Sequence, residues 1–261
     1  MQDRRVPLQP LSFTLYPLHV DNHLLVVVKP PGLLAQADRT GDPDVVTLAK
    51  AYLKARFERP GDVFVGLVHR LDRPASGVMV LARTSKAAAR LTDAFVGRRV
   101  GKRYLAVIEG RLDGAGERTD WLEKRNERIR LVPAGTPGAK EAKMRWRALA
   151  HTGLAPGART LVEVNLLTGR PHQARLQLAA LGTPVVGDLK HGARTRFGDG
   201  RAVALHAWRL GFDHPVGGAP VAFEAPPPPV WAGLFTQEIA AIVGAARAVV
   251  GERPGEGGEA R

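Results

Sequence analysis

The chain has 261 residues, 44% of them hydrophobic, with 38 Lys and Arg against 25 Asp and Glu for a formal charge of +13. That length can bury a sizeable core, and that charge favours a polyanionic partner, nucleic acid first. The absence of cysteine excludes disulfides, thiolate nucleophiles and cysteine-ligated zinc or iron–sulfur sites.

The N-terminus, Met1 to Pro10, carries charge but no apolar core of signal-peptide length. Residues 1–14 read as a flexible lead-in. No apolar run approaches the ~20 residues of a membrane helix, so a soluble cytoplasmic protein with no membrane contact is expected.

Leu24–Val28 is an apolar run stopped by Lys29-Pro30-Pro31-Gly32, which reads as a central strand entering a turn. Val45, Leu48, Ala49, Tyr52 and Leu53 follow helical spacing, with Asp44 placed to cap them. Val63–Val68 and Val78–Ala82 read as strands on either side of a Pro/Ser/Gly turn. Thr84-Ser85 opens a helix whose apolar face is Ala88, Leu91, Phe95 and Val96. Tyr104–Ile108 is a strand closed by Glu109-Gly110. Residues 111–138, rich in Gly, Arg and Glu, read as an excursion with poor internal order. Lys143–Leu149 and Leu161–Leu166 alternate as half-buried strands do.

A helix follows Thr168-Gly169-Arg170, with Pro171 at its first position, Gly182 past its end, and Leu178 and Leu181 toward the core. Ala202–Phe212 holds more strand. Pro226–Pro229 breaks the chain before a last helix over Trp231–Val250, and 251–261 has the composition of a disordered tail. There is no internal repeat. The fold class expected is α+β, a mixed, largely antiparallel sheet flanked by helices, with residues 15–250 as one domain.

Three constellations carry chemistry. The first is His69-Arg70-Leu71-Asp72-Arg73-Pro74-Ala75-Ser76-Gly77, which sets one carboxylate between two arginines beside a histidine. An opposite charge within a few ångströms lowers an Asp pKa by ~1–3 units, so flanking arginines would hold Asp72 ionised in a site built for a polyanion. The second is Lys102-Arg103-Tyr104. Its ring is either core or a platform for a displaced base, a contact worth ~1–3 kcal/mol, with Lys102 and Arg103 as phosphate contacts. The third is Arg170, His172 and Arg175 at a helix start, either an anion-attracting corner or a solvated basic turn. His206 and His214 lack partners at metal-ligand spacing; a core role suits His206, and no metal is expected.

In this order the pieces resemble the RluA type of RNA pseudouridine synthase. The resemblance rests on His69-Arg70-Leu71-Asp72 with Ser76-Gly77, on Lys102, Tyr104 and Gly110, and on Thr168-Gly169-Arg170, His172-Gln173 and Arg175 through Gly187-Asp188. Leu205-His206-Ala207 with His214-Pro215 and the opening Leu24–Gly32 also match. One departure is Ala75, where the family usually has Thr before Ser-Gly. Many relatives also carry an N-terminal RNA-binding domain of the S4 kind, for which residues 1–14 leave no room. A stand-alone catalytic domain is therefore expected, with target choice made by that domain.

The resemblance implies an isomerase that turns uridine into pseudouridine in structured RNA, ribosomal RNA favoured and tRNA possible, by flipping the base out of its stack. It implies no cofactor and no metal, and it gives the residues their roles. Asp72 acts as nucleophile or as a base at the sugar, and Arg175 pairs with it. Tyr104 stacks on the uracil and helps to remove the proton from the base carbon. Arg70 fills the gap left by the flipped base or grips a phosphate, and His69, Lys102, Arg170 and His172 are RNA contacts. A monomer is the default. Two rivals stand beside this reading. One is an RNA-binding ribosome-assembly or chaperone protein without turnover. The other is a glycosidic-bond hydrolase, which needs a second carboxylate, with Asp188 as the nearest candidate.

Overall fold

The computed structural model describes residues 13, 15–126, 128–153 and 157–251. The expected lead-in and tail lie almost wholly outside the described residues. The strands are β1 (Tyr16–Val20), β2 (Leu24–Lys29), β3 (Gly66–Leu67), β4 (Ser76–Ala82), β5 (Gly101–Glu109), β6 (Ala115–Arg125), β7 (Arg128–Val132), β8 (Lys140–Thr152), β9 (Arg159–Leu166), β10 (Leu205–Asp213) and β11 (Pro220–Glu224). The helices are α1 (Val45–Arg56), α2 (Ser85–Val96), α3 (Gln173–Ala180) and α4 (Thr236–Gly251).

One mixed sheet runs β1-β2-β4-β10-β5-β9-β8-β6-β7, with β11 beside β10 and β3 beside β4. Among the described residues, only β4 and β10 pair in parallel, through His206 opposite Ser76 and Ala207 opposite Gly77. Gly77 makes that approach possible. Its φ is +135°, and a Cβ there would lie 2.5 Å from the Cβ, N and O of Ala207. Buried Ser76 and His206 lock the same point, Oγ to Nδ1 at 2.8 Å, and His206 Nε2 donates to the Ala225 carbonyl at 3.0 Å. The core role expected of His206 is what the structure shows.

β2 is apolar from Leu24 to Val28 because both its faces are covered. Leu25 and Val27 pack with Val45, Ala49 and Leu53 of α1. Leu24 and Val26 pack with Ala87 and Leu91 of α2. A third cluster joins α3 and α4 to β5, β9 and β10. Asp44 caps α1 as its position predicts, accepting from the Val46 and Thr47 amides, and Thr84 Oγ1 caps α2 through the Ala87 amide.

Five expectations are corrected. Residues 111–138 are ordered: β6 pairs with β7 and β8 over long registers, and exposed pairs such as Arg130 with Glu123 and Arg145 with Glu117 satisfy the charges that made the segment look loose. The Val63–Val68 strand shrinks to Gly66–Leu67, because the start of that edge of β4 belongs to β10 and the Val80 amide donates to His69 Nε2. Val96 is 77% exposed rather than part of the buried face of α2. Pro171 lies before α3, not at its first position, since His172 takes a left-handed φ of 55° as the cap. The last helix begins at Thr236, after a short 3-10 turn at Pro229–Trp231. No helix of the described residues is long and apolar enough to cross a membrane.

Candidate active site

The turn carrying Asp72 sits where β4 enters the sheet, and it is bolted to the turn that ends β2. The Gly32 amide and the Lys29 ammonium both donate to the Arg73 carbonyl, at 2.8 and 3.0 Å. Lys29 Nζ also donates to the carbonyls of Leu33 at 2.8 Å and Pro30 at 2.9 Å. This lysine is wholly buried. Burial brings its pKa down to about 7 against the pull of the Asp72 carboxylate. Its role escaped the reading of the motif, although the period-2 face Leu25, Val27, Lys29 points it inward.

Asp72 is half-buried, and its partner is Arg175 rather than either neighbour in sequence. Arg175 Nη1 donates to Asp72 Oδ2 at 3.0 Å. Arg73 turns away to Asp42 at 2.6 Å and to the Gly32 carbonyl. Arg70 is exposed and makes no hydrogen bond or ion pair among the described residues. The expectation of an aspartate clamped by its flanking arginines is thus corrected: successive residues of the turn diverge, and the cation is Arg175 of α3, the partner that the resemblance implied.

Arg175 is aimed by Asp188. Its Nε and Nη2 donate to the two Asp188 oxygens at 2.7 Å each, and the side chains are 5% and 1% exposed. Burial opposes the Arg175 charge, but the Asp188 hydrogen bonds and the Asp72 carboxylate outweigh it and raise the pKa. Gly187 permits the turn before Asp188, since a Cβ there would meet Phe197 Cβ at 2.6 Å. Asp188 is the residue that motif reading undervalued. With both oxygens on Arg175 and no exposed face, it cannot serve as the second carboxylate of a hydrolase.

The remaining candidates gather around one cleft of about 1200 Å³. His69, Arg70, Asp72, Lys102, Tyr104, Arg170, His172 and Arg175 all line it. Tyr104 packs against two core clusters. Burial, then the Asp72 charge, pushes its phenol pKa up. His69 stacks on Phe95 with ring centres 4.5 Å apart and keeps its imidazole neutral, at about 3, through burial and the Lys102 charge. His172 Nδ1 meets His191 Nε2 at 3.0 Å, and burial lowers the His172 pKa to about 4. Buried Gln173 shapes the Thr168–Arg170 turn. Its Oε1 accepts from Thr168 Oγ1 and the Arg170 amide, and its Nε2 donates to the Lys143 carbonyl. Gln177 ties α3 to Asp120 at 2.8 Å, so the ordered β6 helps to fix Arg175.

The cleft therefore presents the Asp72 carboxylate with one oxygen held by Arg175 and the other without a partner among the described residues, an aromatic ring beside it, and cations around the rim; Asp38, which also lines it, accepts from Thr40. Among the described residues no cluster of His, Asp and Glu could hold a metal ion.

The model of the RNA pseudouridylate synthase family matches residues 23–180. The ribosomal large subunit pseudouridine synthase D of Xanthomonas campestris pv. campestris is 37% identical over 238 residues, which cover 84% of this chain and 68% of that protein. An uncharacterized RNA pseudouridine synthase, YlyB, of Bacillus subtilis is 33% identical over 230 residues, 87% of this chain and 73% of that one. The tRNA pseudouridine synthase C of Pectobacterium carotovorum subsp. carotovorum is 32% identical over 84% of this chain and 61% of its own. Among solved structures, human RNA pseudouridylate synthase domain containing 1 superposes with a TM-score of 0.64 at 27% identity, covering 85% of this chain and 87% of that one. With its motifs, its fold and most of its length in common with these proteins, this chain belongs to the RNA pseudouridylate synthase family.

Proposed function

We propose that this chain isomerises uridine to pseudouridine within structured RNA, ribosomal RNA first, with Asp72, Arg175 and Tyr104 at the reacting nucleotide. The observation that carries the reading is the Asp72 carboxylate, held on one oxygen by Arg175 inside a basic cleft and free on the other. The reaction breaks the bond from uracil N1 to ribose C1′ and forms one from C5 to C1′. The C5 proton leaves and N1 gains one, so no redox partner is required. A free carboxylate oxygen can attack the sugar or take a ribose proton. Asp72 fits either step, and the Arg175 hydrogen bond keeps it aimed.

The target base must leave its stack at a cost of a few kcal/mol. Tyr104 offers the ring that receives it, and its raised pKa keeps it a phenol, which suits stacking and hydrogen bonding better than phenolate chemistry. Arg70, exposed and without a protein partner among the described residues, replaces the flipped base or grips a phosphate. Residues 15–250 act as one catalytic unit, a monomer in the cytoplasm, without metal or cofactor. The choice of ribosomal RNA leans on the more similar relative, named for the large subunit, over the one named for tRNA.

Pseudouridines are to be mapped across total RNA with and without the gene, and purified protein incubated with unmodified transcripts of the affected molecule. Loss of one or more sites in large-subunit ribosomal RNA, restored in vitro, is expected. An unchanged map, or release of free uracil by the purified protein, would overturn the assignment.

A further inference from the structure

At one end of the cleft, Arg98, Lys102 and Arg170 stand close enough to repel one another. Arg170 Nε donates to the Glu141 carbonyl at 2.9 Å, and Arg98 Nη1 lies 3.8 Å from its carboxylate, beyond hydrogen-bond reach. That carboxylate is closer to Lys143, at 3.0 Å. Lys102 Nζ donates to the Thr168 carbonyl at 3.1 Å. Each cation keeps donors that no group among the described residues takes up. Burial first, then the charges of Arg170 and Arg98, brings the Lys102 pKa down to about 8. A lysine held under such repulsion is stabilised by an anion.

The turn that delivers Arg98 is built at a cost. Arg98 has a φ of 58°, a left-handed conformation that disfavours residues other than glycine. The Arg98 amide bonds to the Phe95 carbonyl and the Arg99 amide to that of Ala94, closing α2 and swinging Arg98 over the cleft. Val96, 77% exposed, stands beside it on the same wall.

We infer that Arg98, Lys102 and Arg170 form a phosphate-binding subsite that grips the RNA backbone next to the nucleotide presented to Asp72, with Val96 as the apolar surface under the adjoining base. The inference rests on the reading of the chain as an RNA-modifying enzyme and adds to it a site outside the Asp72 turn. Of the three cations only Arg98 lies near a carboxylate, that of Glu141, which Lys143 also holds, and all three line the cleft, as a phosphate site requires.

The test uses the full chain carrying Asp72→Asn, with a 12-residue oligouridylate as probe, and affinity measured by fluorescence anisotropy from 50 to 200 mM KCl. Each phosphate contact to a single strand contributes about 0.7 to the slope of log affinity on log salt. A variant lacking one contact should lose about 2.5-fold less affinity than its parent across that range. Arg98→Gln and Lys102→Gln should each show this, and Lys102→Arg should restore the slope. Arg130→Gln, exposed on β7 and paired with Glu123, should leave it unchanged. An Arg98→Gln slope equal to that of Arg130→Gln overturns the subsite. Pseudouridine formation by the unaltered chain on unmodified ribosomal RNA reports separately. If the slope falls and no pseudouridine forms, the subsite stands and the isomerase reading fails; the opposite pair of results does the reverse.

Discussion

Arg175 reaches Asp72 through one hydrogen bond of 3.0 Å, from Nη1 to Oδ2, across 103 residues of sequence. The rest of the guanidinium is taken by Asp188, at 2.7 Å on both Nε and Nη2. The side-on contact leaves Oδ1 of Asp72 without a partner among the described residues. The two carboxylates thus divide the work: the buried one fixes the arginine, and the arginine fixes the one that faces the cleft.

Asp188→Ala removes the anchor and leaves a buried guanidinium short of its bidentate partner. Truncating one member of a buried pair costs about 3–5 kcal/mol, and a misaimed catalytic group loses roughly 10²-fold in rate. Urea unfolding and single-turnover pseudouridine formation measure the two effects. Loss of stability with an unchanged rate would show that Asp72 does not depend on the aim of Arg175.

Gly77→Ala should strike the junction of β4 and β10. The added Cβ meets the backbone of Ala207 at 2.5 Å at a φ of +135°, so the strands must part. A destabilisation above about 3 kcal/mol is expected, in the range that marks a specific structural fault. A urea midpoint within error of the parent would contradict this account of the junction.

Tyr104 separates ring from hydroxyl. Tyr104→Ala should weaken RNA binding by about 1–3 kcal/mol through lost stacking, while Tyr104→Phe should bind as the parent does. Equal affinities for Tyr104→Ala and the parent in a binding titration would remove the ring from recognition.

Acid should destabilise the fold before ordinary carboxylates protonate. His69, at about 3, and His172 and His206, at about 4, refuse protons that the unfolded chain accepts near 6.5. The unfolded state therefore binds more protons between about pH 6.5 and 4, and stability falls as pH falls through that window. Lys29, at about 7 rather than 10.5, acts in the same sense at higher pH, adding stability as pH rises above 7. The urea midpoint should be lower at pH 5 than at pH 7, and a flat or inverted dependence would contradict these burials.

Local features were legible and relational ones only in part. The Asp44 cap, the doubly buried β2 and the glycine at 77 follow from residue type and spacing. The site as a collection of residues was also legible, since all the candidates line one cleft. Its wiring was legible in part. The pairing of Asp72 with Arg175 came from the resemblance and not from the spacing, which set Asp72 between Arg70 and Arg73; adjacency in sequence says nothing about which way a turn sends its side chains. The anchor that Asp188 gives Arg175 was not read, because its meaning lies in a residue of another element. Residues 111–138 looked loose because the partner that orders them, β8, comes later in the chain. Val96 fitted the helical stripe but is the last residue of α2 and stands 77% exposed.

The most direct measurement is pseudouridine formation by Asp72→Asn on an unmodified RNA substrate, with affinity followed in parallel. The substitution keeps size and shape and removes the charge that Arg175 holds. The account predicts no detectable pseudouridine and RNA affinity within about threefold of the parent, since phosphate contacts elsewhere supply most of the binding. Turnover at the parental rate would take Asp72 out of the reaction and the account with it.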